Sequence, residues 1–144
     1  MVKWYEDLRA FQNAMDVCYF PYLGCLKQLG VLGTLTKMLY AVTGLKLDDK
    51  GAMKIGERVV NLERAFNIRE GLTRKDDCLP KRFLEEPMPA GRAQGQVVKL
   101  EPMLDEYYES RGWNKLTGFP SRKCLEGLDL KQAADELEKA AKLG

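Results

Sequence analysis

Between Asp48 and Val98 the chain passes from a strict helical period to a stretch that no continuous helix can contain, and this switch restricts the folds open to it. Ala52, Ile55, Val59, Leu62 and Phe66 recur at three and four residues and share one helical face, while Glu57, Arg58, Glu63 and Arg64 fall largely elsewhere. Asp48 or Asp49 suits the first turn as a cap and Gly71 suits the end, which predicts a helix of about 20 residues. Leu72 to Val98 then holds Pro80, Pro87, Pro89, Gly91 and Gly95, leaving room only for a helical turn near Lys81 to Leu84. Long stretches of this kind inside compact domains are functional or disordered. Leu79, Phe83, Leu84 and Met88 favour an ordered loop that wraps the helices or a neighbouring domain.

The flanking segments read as helices too. Trp4, Leu8, Phe11, Met15 and Cys18 give a helical face from Val2 to about Phe20, with Pro21 ending it. Leu23 to Val42, rich in Leu, Val and Met and punctuated by glycine, predicts one or two mostly buried helices. Pro102 to Arg111 forms a short helix closed by Gly112, after which Trp113 anchors the chain. Ser121 caps a helix through Leu125, and Asp129 with Gln132 resembles a capping box opening a terminal helix that ends near Leu143. No strand pattern or internal repeat competes. The expectation is an all-α, irregular multi-helix domain spanning 1–144, with a long proline-rich ordered loop.

Twenty-three basic against 21 acidic residues leave a net charge of +2 with both signs interspersed, which argues against nucleic acid as a partner. No apolar run is long enough to span a bilayer, and the N-terminus VKWYEDLRAF carries two acids where a secretory signal would be apolar. A cytoplasmic protein without membrane association is expected. The chain has no histidine, so chemistry here must use cysteine, carboxylates or a partner. Cys18, Cys25, Cys78 and Cys124 lie far apart without CxxC spacing, which points to reduced thiols rather than a zinc knuckle, a disulfide scaffold or a thiol-redox motif. By residue type alone, Cys18 reads as a small buried hydrophobe on the inner face of the first helix.

The run GERVVNLERAFNIREGLTRKDDCLPKRFLEEPMP from Gly56 to Pro89 resembles the C-terminal helical domain of tungsten-dependent aldehyde:ferredoxin oxidoreductases, which carry GER…NLERxFNxxxG…DDxLPKRxLEEPxP. Asn13-Ala14-Met15-Asp16-Val17-Cys18 resembles that family's DxxGLC segment, with Asn13 in place of the aspartate and Asp16 in place of the glycine. The resemblance implies that Cys18 is one ligand of a 4Fe-4S cluster, and that Asn13 and Val17 lie against a pterin of a tungsten (or molybdenum) bis-pterin cofactor. It further implies an enzyme that oxidises an aldehyde to its acid and passes electrons to ferredoxin. This chain would be the C-terminal part of that enzyme, inactive and without cofactor alone, partnered by N-terminal and middle domains that carry the other cluster ligands in a CxxCxxxC run. A stand-alone helical interaction or assembly module is the alternative.

Two further groups invite a functional reading. The charged loop from Asp76 to Pro87 is expected to hold its own shape or dock a neighbouring domain rather than perform acid–base chemistry. Tyr19, Phe20 and Tyr22 are expected to pack in the core or an interface, as an apolar surface with Val17 that faces the missing domains.

Overall fold

The computed structural model describes residues 1–20 and 30–144, and among them all regular structure is helical apart from one isolated bridge between Trp113 and Pro120. The α-helices are α1 (Val2–Ala14), α2 (Val31–Thr43), α3 (Asp49–Arg69), α4 (Lys81–Glu85), α5 (Leu100–Arg111), α6 (Arg122–Gly127) and α7 (Lys131–Lys139), with a 3-10 turn at Arg74–Asp76. No helix of the described residues is long and apolar enough to cross a membrane.

The 21-residue α3 is the axis of the molecule. Its Asp48 side chain accepts the Gly51 N–H at 2.8 Å, and Gly71 closes its far end with a φ of 108°, as the sequence predicts. Its first half joins Leu8, Phe11, Leu35 and Ala52 in one apolar cluster, supported by Met15 and Val17. Its second half joins Ala65, Ile68, Leu125, Ala134 and Leu137 in another. Each large buried aliphatic or aromatic side chain of these clusters contributes about 1.5–3 kcal/mol.

The buried face of α3 differs from the expected one. Leu62 and Phe66 are half exposed, whereas Asn61 and Arg64 are buried beside Ala65 and Ile68. Asn61 accepts the Trp113 indole N–H at 2.8 Å, which is how Trp113 anchors the chain after α5. The Arg64 guanidinium donates to both Asp77 carboxylate oxygens, at 2.9 and 2.6 Å, and to the Gly118 carbonyl at 3.1 Å. These polar partners, not the apolar period, set the rotation of the helix.

A second buried guanidinium stitches α5 to α1. Arg111, with a fully buried side chain, donates to Asp7 and Glu6 of α1 and to the Tyr107 hydroxyl, which itself donates to Glu6 at 2.6 Å. Lys3 bridges Asp7 and Glu57, bringing α3 into the same network. Burial works against the Arg111 charge, but the hydrogen bonds to Asp7 and Glu6 outweigh it and raise its pKa.

Other expectations change with the structure. The first helix stops at Ala14 rather than near Phe20, because Asp16 takes a φ of 55° and reverses the chain. Among the described side chains of α2 only Leu35 and Thr36 are buried, while Met38, Tyr40 and Val42 are exposed, so these are less enclosed than the composition implies. Asp129 does not cap α7: it adopts a φ of 60° and its carboxylate pairs with Arg58 at 2.6 Å, while Leu130 occupies the cap position. Ser121 caps α6 as expected.

α1 and α3 cross at Gly56, where a Cβ would run into the Asp7 backbone carbonyl. Gly56→Ala should therefore lower the unfolding free energy by about 1–3 kcal/mol or more in urea titration, since the displaced backbone has nowhere to go. Gly127→Ala, with open space around it, should be neutral or slightly stabilising in the same measurement.

Candidate functional site

The segment Asn13 to Cys18 follows directly from how α1 ends. The Val17 N–H reaches the Gln12 carbonyl at 3.4 Å and the Asp16 N–H reaches the Asn13 carbonyl at 3.0 Å, the paired bonds of a Schellman cap with Asp16 at the left-handed position. α3 ends the same way, with Gly71 at the equivalent position and bonds from Gly71 to Ile68 and from Leu72 to Asn67. A glycine in place of Asp16 thus serves the positive φ of this turn, a conformation that an aspartate adopts at some strain.

Past the cap, Val17 turns its side chain into the apolar cluster under α1, whereas Cys18 is a free, exposed thiol. The reading of Cys18 as a buried hydrophobe inside the first helix is corrected: it lies beyond the helix end, where the side chain no longer follows the helical face. Asn13 is exposed on the last turn of α1, at the border of a shallow groove of about 300 Å³ that Arg9, Val59, Val60 and Glu63 also line. Asn13 and Cys18 therefore reach the same end of α1, with Val17 partly buried between them and packed against the apolar cluster on its inner side.

This donor set suits part of a metal centre. A thiolate is the usual donor to iron–sulfur clusters, and an exposed one can be shared with neighbouring polypeptide. Among the described residues no three histidine, cysteine or acidic side chains converge to hold a metal ion, so further ligands would have to come from elsewhere. Cys25 and Tyr22 lie outside the described residues.

Two residues that the sequence reading passed over hold this segment. Gln12 is fully buried; its amide donates to the Val17 carbonyl at 3.2 Å and accepts from the Arg9 guanidinium at 2.7 Å. Arg9 in turn lies 3.4 Å above the Tyr19 ring, and Phe20 beside it is exposed. A glutamine four residues after Leu8, on the inner face of an amphipathic helix, was the available signal.

The charged loop resolves into internal pairing. Asp76 closes a capping box with Thr73, and Arg74 pairs with Glu101 at 2.6 Å and Asp105 at 2.7 Å. Asp77 accepts the Tyr108 hydroxyl as well as Arg64. From Cys78 onward the loop leaves the helices: Phe83 and Met88 are half exposed, and its shape rests on its own backbone bonds, Val98 to Phe83, Met88 to Gln96 and Gly95 to Met88. Phe83 and Met88 thus do not fasten the loop to the helices of this domain, which leaves the expected contact with a neighbouring domain as the other course for them. Cys124 sits inside the fold, its thiol donating to the Arg111 carbonyl at 3.1 Å, with its pKa pushed up by burial.

The family model described as aldehyde ferredoxin oxidoreductase, domains 2 and 3, matches residues 1–130. A tungsten-containing aldehyde ferredoxin oxidoreductase of Pyrococcus horikoshii is 44% identical over 127 residues, covering 88% of this chain and 20% of that protein. Proteins of the same name from Thermococcus kodakarensis and Pyrococcus furiosus are 42% and 40% identical, each over 127 residues, again 88% of this chain and 20% of each. The chain thus spans about a fifth of the length of these relatives. Among solved structures, the active-site complex BamBC of benzoyl coenzyme A reductase with 1,5-dienoyl-CoA superposes with a TM-score of 0.75 at 25% identity, covering 99% of this chain and 20% of that one.

Asp16→Gly should raise the unfolding free energy by about 0.5–1 kcal/mol in urea titration, by removing the side chain from the left-handed turn. The tyrosines give a pH signature. Burial and then the bond to Asp77 push Tyr108 up to about 12, and burial with the bond to Glu6 raises Tyr107 as well. Both are protonated in the fold at pH values where an unfolded tyrosine, with a pKa of about 10, already ionises. The stabilisation from Tyr108 is complete below about pH 10 and is lost as pH rises through about 12, and that from Tyr107 falls in the same direction. Melting temperature followed from pH 9 to 12 should fall over this window, and less steeply in Tyr108→Phe.

Proposed function

The chain belongs to the aldehyde ferredoxin oxidoreductase family, and we propose that it is one helical domain, 1–144, forming the C-terminal part of a tungsten enzyme that oxidises an aldehyde to its carboxylic acid. Electrons leave that enzyme through a 4Fe-4S cluster to ferredoxin, in the cytoplasm. The domain supplies one cluster ligand, Cys18, and a wall of the pterin cavity at Asn13 and Val17. The remaining ligands and most of the cofactor surface belong to the N-terminal and middle domains, so the isolated chain is inactive.

One observation carries this reading. Within the long motif Arg64 is taken up by Asp77 and Asn61 by Trp113, whereas Cys18, the thiol of the DxxGLC-like segment, stands free and exposed at the end of a capped helix. A thiolate there is placed to complete a centre formed with neighbouring polypeptide. When bound, the pterin-held metal supplies the oxidising chemistry and the cluster the electron path. This chain's own residues act by placement. Cys18 offers a soft anionic donor, Val17 fixes the backbone beside it through its apolar contacts, and Asn13 offers a neutral amide acceptor and donor to a pterin edge. An aspartate at position 13 would accept charge-assisted bonds instead, so this chain holds that edge less strongly by about 1 kcal/mol per bond.

The second reading, a helical assembly module without redox activity, draws on Asn13 and Asp16, the two departures from the DxxGLC segment. One experiment separates the two. Cys18→Ala, produced with the upstream domains, should lose the cluster's visible absorption and its iron, whereas Cys78→Ala, also an exposed thiol, should retain both. A cluster of unchanged spectrum and stability in Cys18→Ala would favour the assembly module.

A further inference from the structure

Cys18 is exposed, yet both of its neighbours are tied down, and the ties come from the same two residues of α1. On one side, Gln12 grips residue 17 twice: its backbone carbonyl accepts the Val17 N–H and its side-chain amide donates to the Val17 carbonyl. On the other side, Arg9 lies over the Tyr19 ring, at a distance that places the guanidinium in van der Waals contact with the aromatic face. The bond from Arg9 to the Gln12 amide oxygen joins the two grips into one unit.

A wholly buried glutamine is a poor choice for a helix that only needs to pack. Its amide must be desolvated, and an apolar side chain of similar volume at that position would join Leu8 and Phe11 without that penalty. What the glutamine does that an apolar residue cannot is hold a main-chain carbonyl one residue away from the thiol. Arg9 supplies what a lysine could not, a planar cation that stacks and donates at once.

We propose that Gln12 and Arg9 are positioning residues, which hold the backbone on both sides of Cys18 so that its sulfur meets the cluster in one fixed geometry. The proposal rests on the assignment of Cys18 as a cluster ligand and extends it to residues that do not touch the metal. Groups that orient a metal ligand govern affinity and electronic structure through the ligand they hold, and their loss typically weakens binding about 10–100-fold.

The test uses the chain produced with the rest of its enzyme, in four variants: Gln12→Met, Arg9→Met, Cys18→Ala and Ile68→Val. Two quantities are read, the rate of iron release to a chelator and the electron paramagnetic resonance line shape of the reduced cluster. Gln12→Met and Arg9→Met should each release iron about tenfold faster and show a broadened or shifted signal. Ile68→Val, a mild loss in the distant apolar cluster, should match the parent in both. Arg9 is only partly buried, so its replacement spares the core should Gln12→Met fail to fold. In the 144-residue chain alone, amide exchange at Val17 should quicken in Gln12→Met relative to the amides of α7.

Parent-like release and line shape in Arg9→Met and Gln12→Met, with the cluster lost in Cys18→Ala, would overturn the positioning role while leaving the ligand assignment intact. An unchanged cluster in Cys18→Ala would instead remove the ligand assignment and the positioning role with it. Faster release in Ile68→Val equal to that of the two α1 variants would reduce the effect to general stability and also overturn the proposal.

Discussion

A guanidinium withdrawn from water needs its donors filled, and two such groups, on Arg64 and Arg111, organise this fold. Leaving either without its carboxylates would cost several kcal/mol, more than any single apolar contact here supplies. Arg111 therefore binds the end of α5 to the middle of α1, and Arg64 binds α3 to the turn at Asp77 and to Gly118. The rotation of α3 follows from this. Turning Arg64 inward carries Ala65 and Ile68 with it and carries Leu62 and Phe66 out to half exposure. The crossing at Gly56 then lets α1 lie close on α3, so that the end of α1 and the thiol beyond it have a fixed place relative to the rest of the molecule.

How far the sequence foretells this fold depends on how local each cause is. The bounds of α3, the Ser121 cap and the stop after α5 depend on residues within a turn of the event, and all three are legible. The face that α3 buries is not, because Arg64 finds its partners 13 and 54 residues away and nothing in the helix distinguishes it from Arg58, which reaches the Leu128 carbonyl near the surface. The early end of α1 is hidden for a different reason. Its turn needs a positive φ, and the residue there is an aspartate rather than the glycine that would announce it. Asp129 misleads in the opposite sense: its type suits a helix cap, but its carboxylate is taken by Arg58.

The exposure of Cys18 was legible through resemblance more than through residue chemistry. Taken by type, Cys18 belonged in the interior, and only the DxxGLC-like spacing moved it to a boundary, where the structure places an exposed thiol. The supporting side chains were hidden because a glutamine or arginine on a helix is ordinarily a solvated residue. Gln12 becomes meaningful only when the chain folds back at Asp16 and brings the Val17 carbonyl within its reach.

The arm from Lys81 to Val98 carries Phe83, Met88 and Val97 into solvent, yet it is not loose, because its main chain is bonded to itself at Phe83 and Val98 and at Met88 with Gly95 and Gln96. A neighbour that covers those side chains meets a finished surface, so little conformational freedom is surrendered on contact. Assembly at that face would resemble the joining of two rigid bodies more than the folding of a tail around a template, and its strength would scale with how well the opposing relief matches.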